Sequence, residues 1–135
     1  MKAAFTRGIR ISGAALALGL MLCGCATISE HSHAYLGTPS YAPTKPGSVQ
    51  VLAAEPTRPK VRLGEIVLSI EGNPSRQAVE EKLKVAAARL GADAVFIVLD
   101  KTYVYPVVYW DYWWGYAGTT EDWQRRIIGV AFKYT

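Results

Sequence analysis

The side chains able to do chemistry are few, and their spacing does not assemble them. His31 and His33 are the only histidines, alternating within a Pro- and Gly-rich stretch. A His-x-His pair offers two metal ligands, but no neighbours complete the coordination sphere, so neither a metal nor a cofactor is expected. A nucleophile–base pair lacks its base in the C-terminal two-thirds of the chain. A glycosidase-type pair of carboxylates would have to come from Asp93, Asp100, Asp111, Glu121 and Asp122. Of these, Asp93 reads as a turn residue after a helix and Asp100 as a strand-end residue. Glycine spacing of the phosphate-cradling type is missing. The sequence therefore points away from an enzyme.

What remains is an aromatic tract. Between positions 103 and 116, eight of 14 residues are Tyr or Trp, against 11% aromatic residues in the whole chain. Three readings stay open for it. It can fold over the sheet as a second small core, with polar tips reaching partners or water. It can form a protein-binding surface, because Tyr and Trp dominate interface hot spots. It can also meet glycan or lipid headgroups through its flat, amphipathic rings. The partner-binding residues expected from it are Tyr109, Trp110, Tyr112, Trp113, Trp114 and Tyr116.

The N-terminus carries an address. Lys2, Arg7 and Arg10 precede the uncharged run 11–22, whose 12 residues are too short to span a bilayer and suit a secretory signal. The run ends Leu22-Cys23-Gly24-Cys25, which resembles the lipobox of bacterial lipoproteins, with Leu22 at −3, Gly24 at −1 and Cys25 as the acceptor. The resemblance implies cleavage after position 24, lipidation of Cys25 and stable anchoring through several acyl chains. Ala26 follows where an aspartate would favour the inner membrane, so the lipoprotein rule implies the periplasmic side of the outer membrane. Loss of the signal removes three of the 15 basic residues, leaving 12 against 11 acidic ones. No basic patch of the kind nucleic-acid binding needs is visible. Cys23 leaves with the signal and Cys25 is acylated, so the mature domain has no thiol left for a disulfide.

Residues 25–47 read as a lipidated tether rich in Pro, Gly and Ser, since Gly37, Pro39, Pro43, Pro46 and Gly47 break regular structure. Such a tether would hold the domain up to roughly 60 Å from the bilayer. The globular domain then occupies 48–135. A short strand at 49–52 is followed by a longer one at 60–71, where Ile66, Leu68 and Ile70 alternate onto one side and Gly64 suggests a bulge or a close backbone approach. A helix comes next, opened by Asn73-Pro74, carrying Val79, Leu83, Ala86 and Leu90 on one face and stopped by Gly91. Residues 94–99 are apolar at every position and read as a strand buried on both faces. Tyr103-Val104-Tyr105 extends or pairs with that strand, and Pro106 confines the next residues to an edge or a bulge. Gly115, Gly118 and Thr119-Thr120 argue for a loop, so 103–123 is predicted as an aromatic-rich loop with one helical turn near 119–123. Alternation at 128–134 marks a last, half-buried strand.

The lipobox, the tether, Leu63-Gly64-Glu65-Ile66 and the run Ala87-Ala88-Arg89-Leu90-Gly91-Ala92-Asp93-Ala94-Val95 together resemble small bacterial envelope domains. These include the outer-membrane stress sensor of the Rcs phosphorelay and the YbjQ-like domains. The likeness spans about 60–100 and implies a fold, without a functional residue. The expectation is an α+β domain with one helix on a face of an about four-stranded sheet in β-β-α-β-β order. Functionally it is a non-enzymatic envelope lipoprotein, membrane-bound through Cys25, that presents its aromatic residues to another envelope component, a protein being favoured. The alternative is a structural or peptidoglycan-contacting lipoprotein with the tract mostly internal.

Overall fold

A computed structural model describes residues 26–135; residues 1–24, expected to be a signal, and Cys25, the expected lipidation site, lie outside the described residues. The domain is α+β, with five strands in a mixed sheet and one α-helix. The strands are β1 (Thr27–Ala34), β2 (Gln50–Leu52), β3 (Lys60–Glu71), β4 (Ala94–Asp111) and β5 (Tyr116–Tyr134), and the helix is α1 (Arg76–Arg89). Their order across the sheet is β1-β3-β5-β4-β2. All neighbours are antiparallel except β2 and β4. β3 and β4 run the same way with β5 between them, and α1 is the crossover such a pair requires.

α1 forms where its apolar positions recur, but its cap differs from the expected Asn73. Ser75 is the N-cap, its hydroxyl accepting from the Ala78 amide at 3.2 Å. Both residue types cap well; the one whose oxygen reaches an amide decides the start. At the other end the Ala92 amide donates to Ala87 O and the Gly91 amide to Ala88 O. With Gly91 at φ +76°, this is the Schellman stop that glycine makes possible. Val79, Leu83, Ala86, Ala87 and Ala88 are buried against Ile66, Leu68, Ile70, Val95 and Ile127 of the sheet. A smaller cluster of Phe96, Val130 and Phe132, flanked by Tyr134, fills the opposite face. Its rings tilt at 6.1 Å (Phe96–Phe132) and meet edge-on at 5.4 Å (Phe132–Tyr134), geometries favoured by the ring quadrupole.

The expected tether 25–47 is corrected from Thr27 onward. Residues 27–34 pair with β3 from Thr27↔Glu71 to Ala34↔Gly64, which makes five strands instead of four. β1 is polar because it is an edge strand with little to bury, so its backbone pairing leaves no hydrophobic pattern. The Pro-rich segment beyond it is also fixed. Thr44 donates its amide to Ala88 O at 2.9 Å and its hydroxyl to Ala92 O at 2.8 Å, satisfying carbonyls at the end of α1.

The predicted loop 103–123 is corrected as well. It is the distal part of β4 and β5, joined by a four-residue turn. Tyr, Trp, Val and Thr suit strands, and continuous cross-strand pairing overrides the turn propensity of Gly118 and Thr119-Thr120. The apolar run 94–99 is not buried throughout: the β4–β5 register shifts between Ile97 and Leu99, and the bulged Val98 is exposed.

Candidate functional site

The aromatic residues form a ribbon that leaves the sheet. β3 pairs with β5 only as far as Ile70↔Arg125, and β2 pairs with β4 only at 94–96. From Tyr103↔Gln124 to Asp111↔Tyr116, nine cross-strand pairs continue with no third strand. At about 3.4 Å per residue the ribbon extends roughly 30 Å beyond the sheet. Pro106 lies in this part of β4, opposite Glu121 of β5 and with an unpaired outer edge, the edge position to which proline in a sheet is confined.

The tip is built by Asp111. Its Oδ1 accepts from the amides of Trp113 (2.9 Å) and Trp114 (3.1 Å), while its carbonyl accepts from the Gly115 amide at 2.9 Å. Gly115 sits at φ +66°, a left-handed conformation glycine adopts without steric cost. These bonds close the turn backbone and aim its side chains outward. Tyr112 is 91% exposed, Trp113 89% and Trp114 75%, with Trp110 at 55%, Tyr116 at 51% and Tyr109 at 44%. All six residues expected to bind a partner therefore lie on the ribbon and at its tip, and a mostly internal tract is overturned. Tyr109 is the most constrained: its ring lies across Gly118 on the facing strand, where a Cβ would meet Cζ and the hydroxyl oxygen at 2.5 Å.

The ladder also sorts the ribbon into two faces, because directly paired residues share one. Val104 with Trp123, Pro106 with Glu121, Val108 with Thr119 and Trp110 with Ala117 continue the helix side of the sheet, where Ile127 and Gly129 meet α1. Tyr103, Tyr105, Val107 and Tyr109 with Gln124, Asp122, Thr120 and Gly118 form the other face. Val104, Val108 and Trp123, all exposed, belong to the site and escape a sequence reading, since alternation reveals a shared face only once the turn is located. Where the ribbon's helix-side face meets the body, a cleft of about 540 Å³ opens, lined in part by Val79, Leu83, Ile97 and Ile127 and by the Asp100–Arg125 pair.

The carboxylates considered for catalysis are mostly engaged in holding the fold. Asp93 accepts from Lys133 Nζ at 3.1 Å and from the Tyr134 amide at 3.0 Å. Asp100 binds Arg125 through two bonds, which hold its carboxyl below the usual carboxylate range. Asp111 caps the tip, and Asp122 accepts from the Trp123 amide at 2.9 Å. Among the described residues no three His, Cys, Asp or Glu side chains are grouped to hold a metal ion. His31 and His33 lie on β1, opposite Val67 and Glu65.

No family model matches the chain, and no curated protein matches it. Among solved structures, the crystal structure of the Francisella virulence factor FvfA in its orthorhombic form is similar at 12% identity and a TM-score of 0.49. The match covers 78% of this chain and 97% of that one.

Proposed function

We propose that the chain is a non-enzymatic envelope lipoprotein, held through a lipid on Cys25 at the periplasmic side of the outer membrane, that presents its aromatic ribbon to another envelope component. The observation that carries this reading is the exposure of Tyr112, Trp113 and Trp114 at the end of a ribbon that takes no part in the core. Exposed aromatic surface that does nothing for folding marks an interaction site. The engagement of Asp93, Asp100 and Asp111 in structural bonds supports binding over catalysis.

The test is photo-crosslinking in cells from a probe at Trp113 of the full lipoprotein, with a second probe at Thr27 on the body. Adducts from Trp113 support the reading and identify the component by mass. Absence of any Trp113 adduct, when the Thr27 probe does react, overturns it. The anchor has a separate readout: Cys25→Ala is expected to abolish palmitate labelling, and persistent labelling would refute it.

A further inference from the structure

The chain enters the sheet at the end from which the ribbon leaves. Thr27 pairs with Glu71, one step past Ile70↔Arg125, where the ribbon begins. Gly72 confirms the closeness, since a Cβ there would stand 3.2 Å from Ala26 Cα. β1 is two strands from β5, so the entry point is about 10 Å to the side of the ribbon's root. Only two residue steps separate Cys25 from Thr27, a reach of at most about 7 Å. A lipid on Cys25 therefore holds the ribbon-bearing end of the sheet against the bilayer.

The ribbon's composition fits that neighbour. Residues 102–110 and 112–120 carry no charge, and the carboxylate of Asp111 is turned onto the tip amides. Trp and Tyr are the side chains that favour the membrane–water interface, with an apolar body and a polar edge. The ribbon also has two unpaired edges, whose N–H and C=O groups keep water as partner and bar it from crossing the hydrocarbon. It can rest in the interfacial layer, obliquely, with its root held by the anchor.

We propose that the ribbon is a membrane-seating element: Tyr112, Trp113 and Trp114, together with Trp110 and Trp123 on its helix-side face, enter the headgroup layer of the bilayer that holds the lipid on Cys25. This rests on the anchored reading above and names the component that the ribbon meets. Between residues 102 and 124 there is no Lys or Arg, and the charged residues on the ribbon, Asp111, Glu121 and Asp122, are all acidic. The contact therefore rests on the aromatic rings and gains nothing from anionic lipid.

The chain supplies its own probe, because its 4 tryptophans are Trp110, Trp113, Trp114 and Trp123, all on the ribbon. The full processed lipoprotein is reconstituted into phosphatidylcholine vesicles whose acyl chains are brominated close to the headgroup. Most of the tryptophan emission is expected to be lost to bromine while aqueous acrylamide quenches little, and replacing part of the lipid with phosphatidylglycerol leaves both results unchanged. Tyr112→Ser/Trp113→Ser/Trp114→Ser alters no core residue; its protein still floats with the vesicles, and bromine quenches its remaining emission less. Floating protein whose emission ignores bromine and is fully quenched by acrylamide overturns the proposal while the anchor stands. A discrete protein adduct from Trp113 without a lipid adduct overturns it in favour of a protein partner. Protein that neither floats nor carries palmitate removes the anchor and the proposal together, a failure that the labelling distinguishes.

Discussion

Arg125 grips the carboxylate of Asp100 across the root of the ribbon, Nε to Oδ1 at 2.7 Å and Nη2 to Oδ2 at 2.5 Å. Arg125 is also the last β5 residue paired with β3, so this contact is the final side-chain clamp between the two strands before they continue alone. The hydrogen bond to Arg125 holds the Asp100 carboxyl below the usual carboxylate range, and the bond to Asp100 raises the Arg125 guanidinium above its ordinary value.

The pair is partly solvated, at 42% and 39% side-chain exposure, so its coupling falls at about 0.5–1 kcal/mol, the upper part of the range for exposed pairs. A double-mutant cycle of Asp100→Ala and Arg125→Ala, read by urea unfolding, is expected to return that value at neutral pH. Because the folded-state carboxyl is depressed, the contribution is complete above the unfolded value and is lost as pH falls through the folded one. The cycle should therefore close to zero in strong acid, and a coupling that persists there would show that charge is not its source.

At the tip, Asp111→Ala removes the acceptor for the Trp113 and Trp114 amides. Each bond is worth about 0.5–1.5 kcal/mol locally, but the ribbon lies outside both buried clusters. The expected outcome is faster amide exchange at 113–115 with little change in the unfolding midpoint. A large loss of global stability would mean that the ribbon is coupled to the core.

The core makes the opposite prediction at Gly129. A Cβ at this position would meet Val95 Cγ2 at 2.8 Å and Leu83 Cδ2 at 3.6 Å, and both side chains are fully buried. Gly129→Ala is expected to destabilise the domain by about 1–3 kcal/mol, the usual cost of overpacking, measured by denaturant unfolding. Gly118→Ala, beneath the exposed Tyr109 ring, should cost much less, because that ring can swing into solvent.

The same contrast between core and ribbon governs how much of the fold was legible in the sequence. α1 and β3 were legible because each presents one face to a common core, which imposes its period on the residues; the observed bounds of β3 are the predicted ones. Gly64 was legible as both a bulge and a close approach: the β3–β5 register shifts between Arg62 and Gly64, and the His33 carbonyl lies against Gly64. β1 was hidden because TISEHSHA is an edge strand held by backbone bonds, with only Ile28 joining the core. The ribbon was hidden for a related reason: exposed on both faces, it has no buried side to enforce alternation, and its glycines looked like turns. Residue type and density alone single out its six candidate residues. Their exposure required knowing that α1 and the sheet fill the core without them.

Gly64 makes the last prediction. A side chain at this position would be driven into the His33 carbonyl and to 3.0 Å from Ala34 Cα, and these contacts are backbone, which cannot swing aside. Gly64→Val is therefore expected to strip the end of β1 from β3 while β3–β5 pairing survives, because the added side chain strikes β1 and not β5. Overpacking of this kind costs about 1–3 kcal/mol, and amide exchange should rise first at 31–34. The anchor geometry gives the variant a second readout. With β1 paired, Cys25 is held within two residue steps of Thr27, about 10 Å to the side of the ribbon's root; with all of β1 released, the intervening chain lengthens by up to eight residues, or roughly 25 Å when extended. If the paired β1 is what holds the ribbon against the bilayer to which Cys25 is proposed to be tied, Gly64→Val should make the tryptophans of the vesicle-bound protein more accessible to acrylamide. This outcome is expected where amide exchange shows that release has run the whole strand to Thr27, since loss of 31–34 alone leaves Thr27 paired with Glu71. Unchanged accessibility in a variant with demonstrably released β1 would mean that the ribbon seats itself by its own affinity, independent of where the chain is tied.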